Sequence, residues 1–330
     1  MKMSSLDSIS HFHSTRLHKT SICLQSPTIQ PNYQTNNLHN LYNTMSTIAF
    51  FGATGGCTSA CLAHTLRNGY NAIALARTPS KLTTQLLEQP GLTQEILDKH
   101  LRIVKGDATN VEDVMQTLVV SEDDGRTTLV SSIISGIGGA PNMSYTKPFP
   151  CDKVDMRIPA MPHFELPNPT ITEDSTRTLL EALQKLAAER FASFEEYAAV
   201  APRLTVISTT GIRKGTSDVP FWFRGMYSTL LHKPHEDKVQ MEKLLAAEGA
   251  KKENLLCGGL VLVRPSLLVG DHRIVAAGED SGFQKLRVGT DEDPAIGYTI
   301  PKAVVGEWIY EEMIKGGGEK WVGEGVTLTL

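Results

Sequence analysis

The chain has 330 residues, 41% hydrophobic and 21% charged, enough to bury a large core and too apolar for a disordered or collagen-like polymer. Its 36 acidic and 32 basic residues leave a net charge of −4, which offers no electrostatic footprint for nucleic acid or an anionic membrane, so the expected partner is a small molecule. The cysteines, Cys23, Cys57, Cys61, Cys151 and Cys257, show neither a CxxC pair nor zinc-ligand spacing, which points to free thiols in a reducing, cytoplasmic compartment.

Residues 1–44 are rich in Ser, Thr, Asn, Gln and His, nearly without acids, and sustain no apolar period; they read as a disordered tail. The same composition fits a weak organellar transit peptide, although its basic residues are only Lys2, Arg16 and Lys19. His11 and His13 lack companion ligands for a metal.

From Thr47 onward, short β-branched and aliphatic runs alternate with amphipathic segments. Strands are predicted over 47–52, 71–76, 101–105, 127–133, 203–208 and 260–264. Helices are predicted over 58–68, released by Gly69; 110–118, capped by Asn110 with Glu112 and Asp113 in the first turn; 170–190; 235–248, just after Pro234; and 302–315, stopped by Gly316, Gly317 and Gly318. This alternation is that of an α/β protein, a doubly wound parallel sheet covered by helices on both faces. Residues 45–330 read as one domain whose C-terminal region, 271–330, forms a small substrate-side subdomain. No apolar run approaches the ~20 residues of a membrane-spanning helix.

Two stretches break the rhythm. Residues 135–169 are rich in Pro and Gly, with Met143, Tyr145, Phe149, Met156, Met161 and Phe164 scattered among them; residues 209–234 carry Phe221, Trp222, Phe223, Met226 and Tyr227. Both follow carboxyl ends of strands, where open α/β sheets bind ligands, and they are the expected substrate walls. Packing of the loops onto the body, or a subunit contact, is the alternative use of these aromatics.

The strongest local signal is IAFFGATGGCTSACLAHTL, 48–66. Gly52 ends a strand, Thr54 and Gly55 turn the chain, and Gly56, Cys57 and Thr58 open a helix of small residues whose backbone N–H groups can face a pyrophosphate. This is the turn of a Rossmann nucleotide-binding fold. Thr58 stands where the third glycine of GxTGxxG would allow close helix–strand approach. After the second strand, where an NAD enzyme carries an acid for the ribose hydroxyls, the chain has Ala76 and Arg77, with Lys81 a turn later. A bidentate guanidinium and a second cation suit a 2′-phosphate, so NADP(H) is expected over NAD(H). Asp107 and Ala108, in the turn after the third strand, are expected near the adenine amino group, and Ser131, Ser132 and Ile133 along the nicotinamide side.

These residues resemble the atypical short-chain dehydrogenases/reductases, in particular their NmrA-like branch, and more loosely fungal averufin-oxidase-like proteins of aromatic polyketide pathways. The carriers are GATGG at 52–56, LART at 75–78 with Lys81, KGDATN at 105–110, ISTTGI at 207–212, HEDKVQME at 235–242 and LVRPSLLVGD at 262–271. The resemblance spans nearly everything after Met45. It implies an NADP(H)-dependent oxidoreductase acting on a carbonyl, quinone or conjugated aromatic molecule, or else an NADP-sensing regulator without turnover; an accessory protein for another enzyme's polyketide intermediate is the third option. The wider family acts through Ser, Tyr and Lys, the last two spaced YxxxK. Ser208 and Lys238 occupy the places of the serine and the lysine, but Pro234 stands at the tyrosine's position and cannot donate a proton. Tyr227, His235 and a water remain as proton donors. Tyr298 and Lys302 satisfy the spacing, yet they follow the sixth strand and straddle Pro301, so the match reads as coincidence.

Overall fold

The computed structural model describes residues 46–121, 127–139, 142–146, 161–165, 168–212, 218–220, 232–276 and 278–330, and of 142–146, 161–165 and 232–234 the backbone alone. The tail 1–44, Tyr227 with its neighbouring aromatics, and most of the two long segments lie outside the described residues.

Among the described residues, eight strands form the main sheet: β1 (Thr47–Phe51), β2 (Asn71–Ala76), β3 (Leu101–Lys105), β4 (Ser132–Ser135), β5 (Arg203–Ile207), β6 (Leu260–Pro265), β7 (Arg287–Gly289) and β8 (Gly325–Thr329). Their spatial order is β3-β2-β1-β4-β5-β6-β8-β7, parallel throughout except for the antiparallel β7–β8 pair at the edge. Ile48, Ala49, Phe50 and Phe51 are all buried, as a strand covered on both faces requires. Ile48 and Phe50 pack with helices α1 (Gly56–Arg67) and the later Lys302–Ile309; Ala49 and Phe51 pack with the helices of the opposite layer. The winding reverses between β1 and β4, which opens a crevice at the carboxyl ends of these two strands.

The crossover from β2 to β3 holds two short helices, α2 (Pro79–Leu87) and α3 (Gln94–His100). The layer opposite α1 is built by α4 (Val111–Leu118), α5 (Ile171–Arg190), α6 (Phe194–Val200) and α7 (His232–Gly249). The Asn110 side chain accepts from Asp113 N at 3.1 Å, the expected cap. Helix α7 starts at His232, so Pro234 lies in its first turn, where a missing N–H removes no helical bond. The predicted 302–315 helix divides into α8 (Lys302–Ile309) and a π-helical turn, Tyr310–Lys315.

Two parts depart from the pattern read in the sequence. The fourth strand is not 127–133: Thr127–Leu129 turns back antiparallel on Val119–Ser121, and the sheet strand begins only at Ser132. At the other end, β8 inserts between β6 and β7, and its threonines are buried yet paired. Ala295 N donates to Thr327 Oγ1 at 2.7 Å, and Ser266 Oγ to Thr329 Oγ1 at 3.0 Å.

Helices α1 and α8 cross closely because Gly306 presents no side chain: a Cβ there would lie 2.5 Å from Cys57 O and 2.7 Å from Cys61 N. In the same seam buried His64 stacks on Tyr310, ring centroids 5.6 Å apart, and its Nδ1 accepts from Arg67 Nη2 at 3.2 Å. Burial, with Arg67 adding to it, lowers the imidazole pKa to about 4. The unfolded chain therefore takes up this proton near pH 6.5 while the folded one refuses it until near pH 4, so stability falls as pH drops through that window. Substituting His64→Gln is expected to narrow the stability gap to wild type between pH 7 and pH 4.5 in urea melts; a gap independent of pH would contradict it.

Candidate functional site

At the end of β1, Gly52 adopts φ +74°, and Gly55 N donates to Gly52 O at 2.7 Å, closing the turn that launches α1. A Cβ on Gly52 would lie 2.7 Å from Gly136 O, so the segments leaving β1 and β4 touch backbone to backbone where the winding reverses. The N-cap of α1 is Gly55, which offers no capping side chain, and no acid stands in the first turn. The positive end of the helix is thus uncompensated by the protein and suited to an anion.

Thr58, on that first turn, is 1% exposed. A Cβ on Gly136 would overlap Thr58 Oγ1, so the glycine missing from position 58 has its counterpart on the neighbouring strand's exit. Close approach is kept by removing the side chain from the other partner. Thr58 Oγ1 itself is buried without a hydrogen-bond partner among the described residues. Gly136→Ala should cost about 1–3 kcal/mol by overpacking, and Thr58→Ala in the same chain should recover most of that loss; additive losses in denaturant melts would show that the two positions do not share this space.

One strand over, β2 ends on buried Ala76 and the exposed Arg77, with Lys81 exposed on α2. Gly106 N donates to Ala76 O at 3.2 Å, which sets the turn after β3 beside Arg77. Asp107 Oδ1 accepts from Thr109 N at 2.9 Å and from Thr109 Oγ1 at 2.7 Å, while Asp107 N donates to Asp113 Oδ2 at 2.8 Å. Those Thr109 bonds, and to a lesser degree the Arg77 guanidinium, hold the Asp107 carboxyl below its ordinary pKa. Ala108 packs partly buried on the helix layer.

The expectation for Ser131, Ser132 and Ile133 is corrected. Ser131 N and Oγ both donate to Thr47 O, at 3.0 and 3.2 Å, which fixes Ser131 at the amino end of the sheet, opposite the Gly52 turn. Ser132 pairs with Ile48, and Ile133 is buried inside the sheet. Because the hairpin at Thr127–Leu129 delays the strand, the residues that reach the crevice are Ser135, Gly136 and Ile137.

On the far side of the crevice, Lys238 Nζ donates to Ile207 O at 2.7 Å and Ile137 O at 3.0 Å, with Met241 Sδ at 3.9 Å. The ammonium thus ties the ends of β4 and β5 together, and burial lowers its pKa to about 8. Ser208, next to the Ile207 carbonyl, is 4% exposed and its Oγ has no partner among the described residues. The flanking residues of α7 are also anchors. Asp237 accepts from Thr172 N at 3.0 Å and Glu173 N at 2.9 Å, capping α5, and Glu242 takes a bidentate pair from Arg264 at 2.9 Å for each bond. Among the described residues no cluster of His, Cys, Asp and Glu could hold a metal, and no helix is long and apolar enough to cross a membrane.

No family model matches the chain. It is 45% identical over 302 residues to oxidase pynE of Aspergillus niger, covering 86% of this chain and 98% of that protein. It is also 39% identical over 287 residues to reductase pytE of Aspergillus terreus, covering 86% and 97%. The chain belongs to this family of fungal oxidoreductases. Solved structures agree on the fold. A short-chain dehydrogenase/reductase from Veillonella parvula in complex with NADP superposes with a TM-score of 0.53 at 12% identity, over 86% of this chain and 94% of that one. The oxidoreductase ylbE from Lactococcus lactis gives 0.50 at 16%, over 86% and 90%. These structures share the Rossmann fold expected from the motifs.

In this oxidoreductase the crevice gathers Gly52, Thr54, Gly55, Gly56, Cys57 and Thr58 with Arg77, Asp107, Ser208 and Lys238 on one edge of the sheet. His235 lies partly exposed on α7. Lys302 is the residue that sequence reading set aside: its side chain crosses Gly56 at the start of α1. The formal YxxxK spacing with Tyr298 does not reveal this contact, which depends on α8 returning to α1.

Proposed function

We propose that the enzyme uses NADP(H) to reduce or oxidise a carbonyl, quinone or conjugated aromatic small molecule, in the cytoplasm and within secondary metabolism of the polyketide kind. The observation that carries the cofactor reading is the pairing, on one sheet edge, of the bare α1 N-terminus with an exposed Arg77 in place of an acid. The residues fit a dinucleotide: the left-handed Gly52 turn aims the first α1 amides into the crevice, and the Thr58 and Ser208 hydroxyls are buried without partners among the described residues. Amides of the Gly55 to Thr58 turn would hold the diphosphate, Arg77 and Lys81 the 2′-phosphate, and Asp107 the adenine side.

Bound, the nicotinamide supplies or accepts the hydride. The chain's own part is geometric. Lys238 fixes the ends of β4 and β5, and through them the floor of the crevice, with an ammonium committed to two carbonyls. Ser208 brings an unclaimed hydroxyl to that floor. Tyr227 and His235 remain the side chains proposed to pass the proton. The relatives, an oxidase and a reductase, favour turnover over a purely sensing role.

Calorimetry with NADPH and NADH is the first test. Arg77→Glu is expected to weaken NADPH at least tenfold more than NADH, the loss of a charge-assisted bidentate contact plus a new repulsion; equal weakening would remove Arg77 from phosphate recognition. With wild type, loss of the NADPH absorbance band on a panel of quinones and aromatic ketones is expected. Silence across that panel would sink the substrate class.

A further inference from the structure

We propose that Lys302, from the C-terminal helix α8, is a cationic ligand of the cofactor diphosphate, acting from above the α1 N-terminus. This deepens the dinucleotide reading and rests on it. Lys302 lies one helical turn before Gly306, on the same face of α8. Gly306 sits on Cys57 O, Ala60 and Cys61 N, so the register of α8 on α1 is fixed by backbone contact and not by adjustable side chains. That register carries the Lys302 stem across Gly56. A Cβ on Gly56 would stand 3.0 Å from Lys302 Cγ and 3.2 Å from its Cβ, and would overlap Cδ, so the lysine passes where only a glycine leaves room. Its charge is felt in the same turn: Lys302 opposes the burial that pushes the Cys57 thiol up to about 12.

A cation at this place is unfavourable on its own. The helix dipole is positive there, the first turn holds no acid, and among the described residues no carboxylate forms an ion pair with Lys302. Two like-signed features held together by rigid packing are reconciled when an anion lies between them. The adjoining Thr58 hydroxyl, buried and unpartnered, belongs to the same turn. A diphosphate supplies the missing negative charge, and the lysine would contribute a point charge while the amides contribute direction.

The test compares wild type, Lys302→Met and Lys302→Arg by calorimetry with NADPH, NADH and ADP-ribose, which carry the diphosphate, and with adenosine 2′-monophosphate, which lacks it. Methionine keeps the apolar stem over Gly56 and removes the charge. Its expected effect is a 10- to 100-fold loss for all three diphosphates, with the NADPH-to-NADH ratio and the 2′-monophosphate unchanged, the size of a lost charge-assisted hydrogen bond. Arginine should retain affinity within a few-fold. Diphosphate affinities unchanged in Lys302→Met overturn the proposal, as does an equal loss on the 2′-monophosphate, which would mark general damage. If wild type binds none of the four, the dinucleotide reading itself falls and takes the proposal with it; if wild type binds and only Lys302→Met behaves as wild type, the reading stands without Lys302.

Discussion

The approach of the Gly52 backbone to the Gly136 carbonyl sets the rest of the site. Neighbouring parallel strands run about 4.8 Å apart, and where the chain leaves β1 and β4 toward opposite faces of the sheet, two ordinary side chains would force the exits apart. With glycine on both sides the exits stay in contact, the turn at Gly52 can take its left-handed conformation, and α1 points its first amides into the crevice. Thr58 shows how closely this region is packed. Its side chain lies in the space that Gly136 leaves free, so a motif position that departs from the expected glycine is accommodated from a residue far away in sequence.

Helix α7 illustrates how one motif can serve mechanics and chemistry together. Its apolar contribution to the core is modest, Met241 and Leu245 chiefly, and its placement relies on charged groups: Asp237 on the α5 N-terminus, Lys238 on the β4 and β5 carbonyls, Glu242 on Arg264. Arg264 is 3% exposed and is also paired with Asp291. Buried charges are costly unless they are paired, and a wrong helix register would leave three of them unpaired at once. Lys238, which stands where the family resemblance puts the catalytic lysine, is a clamp between two strand ends.

Much of this was legible in the sequence. The Gly52 turn, the strands around 47–52, 71–76, 101–105, 203–208 and 260–264, and the Asn110 cap follow from local chemistry, because a buried parallel strand must be apolar and a helix start must satisfy its amides. Where tertiary structure decides, the reading failed. Thr127–Leu129 has the β-branched content of a sheet strand but is drawn into a hairpin, which moved the crevice residues from Ser131–Ile133 to Ser135–Ile137 in the numbering of the chain. β8 was not among the expected strands, and its threonines lie inside because Ser266 and Ala295 pair with them. Helices α2 and α3 are too short to show a sustained period. The packing of Lys302 across Gly56 was not legible, since it comes from a contact between segments far apart in the chain.

That contact between ends has a consequence for how the polypeptide assembles. β6 obtains its outer neighbour, β8, only when the last residues are available, and α1 is covered largely by α8 and the π-helical turn Tyr310–Lys315. During synthesis the N-terminal half of the sheet therefore emerges with an apolar helix surface and an open strand edge, and it must wait for the later segments to cover them. Domains dominated by such distant pairings close late and slowly, and the waiting intermediate is the species most in need of a chaperone.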